Sequence, residues 1–298
     1  MKGGQVLEPA WCGGLDLQRE ILRADGGPDQ FRLWWLGQSG FLLCWDGHFL
    51  LFDPYLSDSL TEKYAATDKP HVRLGERVID PALLGMVRLV TSSHLHTDHL
   101  DAATLRPLAA AAGGLQLVLP GANEAAARER LGEDVAIEYL TVEEGVTQEV
   151  GVFRFTAVAA AHNEIERDEW GRCRFLSFVV RFGPFCVWHS GDTRWHDGLV
   201  AALRLARPDL VMVPINGNDP ARRVAGNLNG TEAAALAKAC GARLAVPHHF
   251  GMFAFNTADP LEFVEACGRL QQPCRVLRGG ESLTLGLASS EAAGKPVD

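Results

Sequence analysis

The segment Ser93-His94-Leu95-His96-Thr97-Asp98-His99-Leu100-Asp101 carries three histidines and two carboxylates within nine residues. The apolar run Met86–Val90 before it predicts a buried strand, and the residues Ala102–Leu105 after it predict the start of a helix. A His-x-His-x-Asp-His run at a strand end can direct several imidazoles and a carboxylate into one cavity, as divalent metal ions require. The stretch therefore predicts a metal site, and a solvated histidine-rich loop is the less favoured alternative.

Length and charge narrow the class of protein. The chain has 298 residues, of which 47% are hydrophobic and 22% are charged, as is usual for a globular protein. Its net charge of −9 disfavours long polyanions, so no nucleic-acid partner is expected. We also expect no signal peptide and no membrane span, because no apolar run is long enough. The expected partner is a small-molecule substrate, and a homo-oligomer is compatible with the sequence.

The cysteines indicate the compartment. The chain has seven, an odd number, and they are scattered without any Cys-x-x-Cys pair. This pattern is typical of buried thiols in a reducing environment rather than of a disulfide framework. We therefore expect a cytoplasmic protein.

The order of apolar segments predicts two similar halves. Short strands separated by turns come first, then alternating helices and strands, and the same order then repeats. We expect a single domain over residues 1–298, with a peripheral N-terminal segment at 1–28. Residues 54–80 are predicted to be a long irregular loop over the active site.

Three further strand ends carry metal-ligating side chains. His162 follows the apolar run Ala159–Ala161, Asp192 follows Trp188-His189-Ser190-Gly191, and the pair His248-His249 follows Val246-Pro247. A lone histidine after a strand is usually a packing or surface residue. Loops at one edge of a sheet converge in space, however, so these residues could share one cavity with His94–His99.

These residues, taken in order, resemble the metallo-β-lactamase superfamily of metal-dependent hydrolases. The similarity runs from about Phe31 to about Pro260 and includes the strand that ends in Asp53. Trp34-Trp35-Leu36-Gly37, Trp188–Asp192 and His248-His249 most resemble the branch that contains the bacterial L-ascorbate-6-phosphate lactonase. The resemblance implies an α/β fold: a four-layer αββα sandwich of two mixed β-sheets packed face to face, with helices outside.

The resemblance also implies a centre of two divalent metal ions. His94, His96 and His162 would hold the first ion, Asp98, His99 and His249 would hold the second, and Asp192 would bridge them. His249 is favoured as the late ligand, and His248 stays an alternative. Asp53 would orient a liganding imidazole, although a turn residue before Pro54 would look the same. His189 and His248 are expected to support or pack against the ligands.

The chemistry implied is hydrolysis. Two ions would lower the pKa of a water molecule between them until hydroxide is available near neutral pH. Asp98 and His249 are the candidate catalytic residues, with Asp98 suited to orient that hydroxide and receive its proton. Zinc suits the histidines and manganese suits the carboxylates, and iron is the less favoured choice.

The substrate is less constrained by the sequence. A small, anionic ester such as a sugar lactone is expected, and a phosphodiesterase is the alternative. An iron-dependent oxygenase of the persulfide dioxygenase type is the alternative from another class. Basic side chains in two loops could bind the anion, or could simply face solvent. They are Lys63, His71, Arg73, Arg77 and Arg222.

Overall fold

Two β-sheets form the centre of the computed structural model, which describes residues 6–24 and 27–287. The first sheet contains β1 (Gln30–Gly37), β2 (Gly40–Trp45), β3 (His48–Phe52), β4 (Leu89–Thr91), β5 (Leu115–Pro120) and β6 (Ile137–Val142). The second contains β7 (Thr147–Val150), β8 (Phe153–Ala159), β9 (Leu176–Phe182), β10 (Phe185–His189), β11 (Leu210–Pro214) and β12 (Leu244–His248). The last strand, β13 (Ser282–Gly286), returns to the first sheet and pairs with β1.

The two sheets repeat one topology, as the sequence predicts. The first has the order β13-β1-β2-β3-β4-β5-β6 and the second has the order β12-β11-β10-β9-β8-β7. Each sheet is mixed, with antiparallel pairs such as β1–β2 and β8–β9 and parallel pairs such as β4–β5 and β11–β12. The sheets pack through apolar side chains, and the ring centroid of Phe31 lies 5.4 Å from that of Phe182 and 5.1 Å from that of Phe185.

Seven α-helices in the described residues complete four layers. They are α1 (Gly14–Leu22), α2 (Ser59–Tyr64), α3 (Ala102–Ala112), α4 (Glu124–Leu131), α5 (Asp197–Ala206), α6 (Gly230–Cys240) and α7 (Leu261–Leu270). Leu17 of α1 and Leu108 of α3 are buried against the first sheet, while Leu203 of α5 and Phe263 of α7 join the core of the second. Burial of these apolar faces provides most of the driving force for folding. The predicted αββα sandwich is confirmed.

Local sequence explains two connections in the first half of the chain. Asp46-Gly47 joins β2 to β3, and both residues have positive φ, at 47° and 75°, as a two-residue hairpin turn requires. Asp101 caps α3 by accepting a hydrogen bond from the Ala103 amide at 3.3 Å. The same carboxylate accepts from Ser57 Oγ at 2.6 Å, which ties the base of the 54–80 segment to the motif.

Several elements differ from the sequence-based expectation. The 54–80 segment, predicted to be irregular, contains α2. The N-terminal segment at 1–28, predicted to be peripheral, contains α1, whose Leu17 and Ile21 are buried. Residues 1–5 and 25–26 of the N-terminal segment, and residues 288–298 of the predicted domain, lie outside the described residues.

None of the helices within residues 6–24 and 27–287 is long and apolar enough to cross a bilayer.

Candidate metal centre

Four strand ends bring the predicted ligands together. The motif His94–His99 follows β4, His162 follows β8, Asp192 follows β10, and His249 follows β12. These strands belong to both sheets, so the centre lies where the two halves of the sandwich meet at one edge. The side chains form two groups, and within each group the ligand atoms lie within 4.8 Å of one another.

The first group consists of His94, His96, His162 and Asp192. His162 Nε2 lies 3.6 Å from Asp192 Oδ2. The other ring nitrogen, Nδ1, lies 2.9 Å from the Gly226 carbonyl and 3.0 Å from Asn227 Oδ1. Because both of these oxygens accept, Nδ1 carries the hydrogen and Nε2 presents its lone pair to the group.

The second group consists of Asp98, His99 and His249. Nδ1 of His99 donates to Asp53 Oδ2 at 2.7 Å, so its Nε2 faces the group. Asp192 contacts this group as well: its Oδ1 is 3.4 Å from His99 Nε2 and its Oδ2 is 3.3 Å from His249 Nε2. One carboxylate therefore reaches both groups.

Unsatisfied polar atoms test whether these residues fit metal ions. His94 Nε2, His99 Nε2 and Asp192 Oδ1 are buried, and none has a hydrogen-bond partner among the described residues. Buried polar atoms are normally paired, because an unpaired one costs about 1–3 kcal/mol. Imidazole nitrogens and carboxylate oxygens that converge on one point are the ligands that a divalent cation binds, after it displaces any proton that they hold. The two groups fit one divalent ion each, with Asp192 between them.

Two histidines of the first group, His94 and His96, have lowered pKa values. Burial, together with the neighbouring His99, lowers the pKa of His94 well below its usual value. His96 is exposed at the cleft, and desolvation by the surrounding protein lowers its pKa to about 4. Both rings are therefore neutral at physiological pH, which is the form that binds a metal ion.

In the second group, carboxylates and imidazolium rings of opposite charge stabilise one another. Burial opposes protonation of His99 and His249, but Asp192 and Asp98 outweigh it. These carboxylates raise the pKa of His99 well above its usual value and that of His249 to about 9. The imidazolium rings in turn keep the pKa values of Asp98 and Asp192 well below the usual range, against the effect of burial.

Asp53 lies under the motif at the end of β3, in a left-handed conformation with φ of 37°. It is fully buried and accepts hydrogen bonds from Thr91 Oγ1 at 2.7 Å, from the Ser93 amide at 3.1 Å and from His99 Nδ1. The Ser93 hydroxyl also donates to it. These contacts fix the ring of His99 relative to the strand end.

His248 lies away from both groups, in a buried network beneath them. The Ser190 hydroxyl donates to the Gly191 carbonyl at 2.6 Å, so it accepts from His248 Nε2 at 3.0 Å. The other nitrogen of His248 accepts from Ser39 Oγ at 3.2 Å. His189 stacks on His248, with centroids 5.4 Å apart, and donates to the Ser39 carbonyl at 2.8 Å. Of the two late histidines, His249 is the one that faces the metal groups.

A cleft with a volume of about 470 Å³ opens over the two groups. Lys63 and His71 line it, as the substrate-binding prediction requires. Three of its basic side chains were not in that prediction. They are Lys69, Arg130 and Arg223.

Three other residues predicted to bind the substrate, Arg73, Arg77 and Arg222, are not among the residues that line this cleft. Arg73 is buried in the loop, where it donates to Asp58 Oδ1 at 2.8 Å and to the Ser57 carbonyl at 2.6 Å. Arg77 is exposed and 3.9 Å from Asp80 Oδ2. Arg222 donates to Asn256 Oδ1 at 2.8 Å and to the Asn216 carbonyl at 2.6 Å. Arg73 and Arg77 therefore pair with groups outside the cleft lining, whereas Arg222 contacts Asn256, which lines the cleft.

Gln38 lines the cleft beside the second group and is not among the site residues predicted from the sequence. It lies in Gly37-Gln38-Ser39-Gly40, a segment with the composition of a hairpin turn. A signal was present in the position of this turn: it follows β1 and lies near the edge to which the other loops converge.

A family model described as a beta-lactamase superfamily domain matches residues 48–250. A "UPF0173 metal-dependent hydrolase" from Rubrobacter xylanophilus is 28% identical over 260 residues, covering 85% of this chain and 96% of the relative. Both matches span the motif, His162, Asp192 and most of the second sheet.

Solved structures share the fold at low sequence identity. A metallo hydrolase from the archaeon Ignicoccus hospitalis superposes with a TM-score of 0.64 and 18% identity, covering 87% of this chain and all of the other. An isothiocyanate hydrolase from Delia radicum gut bacteria superposes with a TM-score of 0.68 and 18% identity, covering 86% of this chain and all of the other. At this identity the likeness concerns the fold alone.

Proposed function

The chain belongs to the beta-lactamase superfamily and is similar to metal-dependent hydrolases, and we propose that it is a two-metal hydrolase of small, anionic esters such as sugar lactones. The observation that carries the proposal is Asp192. Its two oxygens lie 3.3–3.6 Å from ring nitrogens of both groups, so it could bridge two ions. His94, His96 and His162 would hold the first ion, and Asp98, His99 and His249 the second.

Two bound ions would supply Lewis acidity and a hydroxide nucleophile near neutral pH. Asp98 is suited to orient the attacking water, because its low pKa keeps it ionised and its side chain lines the cleft, and it would receive the proton that the water loses. His249 would fix the second ion beside it. Asp53 would hold the His99 ring through the 2.7 Å hydrogen bond, while His189 and His248 support the loops from below.

The charge of the cleft lining supports an anionic substrate. Although the chain carries a net charge of −9, four basic side chains line the cleft: Lys63, Lys69, Arg130 and Arg223. Arg223 pairs with Asp68. Among the described residues, the other three have no carboxylate partner within ion-pair distance. Cations around a partly enclosed cavity concentrate anionic ligands and strengthen their binding.

The aromatic side chains of the cleft lining favour a substrate with a flat or apolar body. Tyr64 stacks on His71 with centroids 4.5 Å apart, and His71 meets Phe253 and Phe255 edge-on at 5.2 and 5.3 Å. Nδ1 of His71 donates to the Lys69 carbonyl at 3.0 Å, so its Nε2 is left to accept a hydrogen bond. A sugar lactone with an anionic substituent combines a negative charge with a flat ring. The resemblance to the ascorbate-phosphate lactonase branch also supports such a substrate.

The second candidate is a phosphodiesterase. The same basic lining would also neutralise a phosphodiester, so the charge of the cleft favours it as well. The histidine-rich first group suits zinc, and the two carboxylates also suit manganese. A cytoplasmic location is part of the proposal, supported by seven cysteines that form no disulfide with one another. A homo-oligomer stays a prediction.

A substrate panel tests the proposal. The protein loaded with Zn²⁺ or Mn²⁺ would be assayed against neutral lactones, phosphorylated and carboxylated lactones, and phosphodiesters. We expect turnover of the anionic lactones to exceed that of neutral lactones of equal ring size. Turnover confined to phosphodiesters would favour the second candidate, and a metal-loaded protein inactive on the whole panel would contradict the hydrolase assignment.

A further inference from the structure

Gln38 enters the metal centre from the turn between β1 and β2, an element that contributes none of the ligands proposed above. Its side chain is buried, with 4% exposure, and it lines the cleft beside Asp98 and His249. A buried amide costs free energy unless its polar atoms are paired, so its contacts define its role.

The first contact is a hydrogen bond to Asp98. Nε2 of Gln38 lies 2.9 Å from Asp98 Oδ2. An ionised carboxylate only accepts hydrogen bonds, so the nitrogen of the amide is the atom that must face it. Asp98 Oδ2 also lies 3.5 Å from His249 Nε2 and 3.7 Å from His99 Nε2. The hydrogen bond therefore fixes the oxygen that faces both histidines of the second group.

The second contact is with the ring of His249. Gln38 Nε2 lies 3.1 Å from its Nε2 and 3.3 Å from its Nδ1. An atom placed along the lone pair of Nε2 would be much farther from Nδ1, whereas these two distances are nearly equal. The amide thus lies beside the ring and leaves the lone-pair direction of Nε2 clear for an ion.

The backbone of Gln38 is built to hold this position. Its carbonyl accepts from Trp35 Nε1 at 3.0 Å and from the His249 amide at 3.2 Å. Gln38 and His249 both have left-handed conformations, with φ of 49° and 63°. Strained residues of this kind persist where neighbouring contacts enforce them, often at functional sites. Here the two strained residues are joined by the hydrogen bond from the His249 amide to the Gln38 carbonyl.

Other members of the two groups have anchors of their own. His99 has Asp53, and His162 has the Gly226 carbonyl. Within residues 6–24 and 27–287, Gln38 is the residue outside the two groups that hydrogen-bonds to Asp98. It also contacts both ring nitrogens of His249.

We propose that Gln38 is the positioning residue of the second metal group, holding Asp98 and His249 together and so setting the affinity for the second ion. The inference rests on the proposed function, since it requires that the second group binds an ion. Partners that orient metal ligands contribute on the order of 10–100-fold to metal affinity. Loss of the Gln38 amide should therefore weaken binding of the second ion by that factor and leave binding of the first ion unchanged.

Two variants and a matched control test this. Gln38→Met keeps the volume and removes the donor. Gln38→Asn keeps the amide and tolerates a positive φ, but is one methylene too short to reach Asp98. The control is Gln272→Met, since Gln272 is equally buried and donates to the Ala242 carbonyl at 3.1 Å, away from the cleft. Each protein would be titrated with Zn²⁺ and Mn²⁺ by calorimetry, and with Co²⁺ by visible absorption.

We expect both Gln38 variants to raise the Kd of the second ion about 10–100-fold, with a changed absorption band for the second Co²⁺. The first Kd, and both constants of Gln272→Met, should match the wild type. An unchanged second Kd in Gln38→Asn, or equal weakening of both ions in a folded Gln38 variant, would overturn the inference. A wild type that binds a single ion would instead contradict the proposed function.

Discussion

The two groups proposed to bind metal ions both contact Asp192, but they differ in the protonation of their histidines. In the first, His94 and His96 are neutral rings with low pKa values, and His162 is anchored by a backbone carbonyl. In the second, two histidines with raised pKa values alternate with buried carboxylates, and the anchors are Asp53 and Gln38. A cation entering the first group meets free lone pairs, while one entering the second must displace protons. The comparison predicts a tight, pH-insensitive first ion and a second ion that depends on pH.

The largest expected effect comes from removing a ligand of the first group. His96→Ala should lose the first ion and lower kcat/KM by more than about a thousandfold, because Lewis-acid stabilisation contributes several kcal/mol. Metal content by elemental analysis, measured beside kcat/KM, checks this. His196→Ala is the control, since His196 donates to the Ala159 carbonyl outside both groups. Full metal content in His96→Ala would remove that residue from the ligand set.

The next effect is the pH dependence of the second ion. Because His249 has a pKa of about 9, raised by Asp192 and Asp98 against burial, its ring holds a proton at neutral pH. Binding must release that proton, so affinity for the second ion should rise with pH up to about 9, on the order of tenfold per unit for each proton displaced. His96, with a pKa of about 4, releases none in this range. Calorimetry in buffers of different ionisation enthalpy counts the protons, and equal release by both ions would refute the contrast.

A smaller effect is expected at the anchor of the second group. Asp53→Asn removes the charge that orients His99, so the second ion should bind about 10–100-fold more weakly while the first is unaffected. Asp101→Asn is a matched control, because Asp101 is buried and hydrogen-bonded to Ser57 and Thr104 but touches neither group. If Asp53→Asn weakens binding of both ions equally, Asp53 stabilises the whole metal centre rather than the second group alone.

The smallest effect lies outside both groups. Lys63→Ala should raise KM for an anionic lactone by a few-fold, with kcat and the affinity for both ions unchanged, since exposed charge pairs contribute about 0–1 kcal/mol. The change should shrink at high ionic strength. Steady-state kinetics at two salt concentrations measure it. Lys238→Ala, on α6 outside the cleft lining, is the control. A rise in KM for neutral lactones as well would argue against a charge effect.

Much of this centre could be predicted from the sequence, because its ligands stand at strand ends with clear periodicity. The strands that precede His94, His162 and Asp192 are apolar runs, and a strand end is where a loop residue can enter a cavity. The relation between the two late histidines needed the structure. In β12 the side chains alternate, so His248 points to the buried serines, and the strained φ of His249 directs its ring toward Asp98.

The rest depends on contacts between residues distant in sequence. Gln38 lies 211 positions from His249, and although its turn follows β1 at the edge where the loops converge, the composition of the turn does not show that the other half of the sandwich packs against it. Arg73 looks like a solvent-facing or anion-binding residue in a charged loop, yet Asp58, Tyr55 and Phe253 enclose it. A charge pattern alone does not distinguish a buried loop anchor from a cleft residue.

The number of ions bound per chain shows whether the two groups are separate metal sites. Equilibrium dialysis of the wild type and His249→Ala against Zn²⁺ or Mn²⁺ at pH 8, followed by elemental analysis, would count the ions in each. We expect two ions per chain in the wild type and one in His249→Ala, with the first Kd preserved. One ion in the wild type, or two in the variant, would contradict a centre made of two groups that share Asp192.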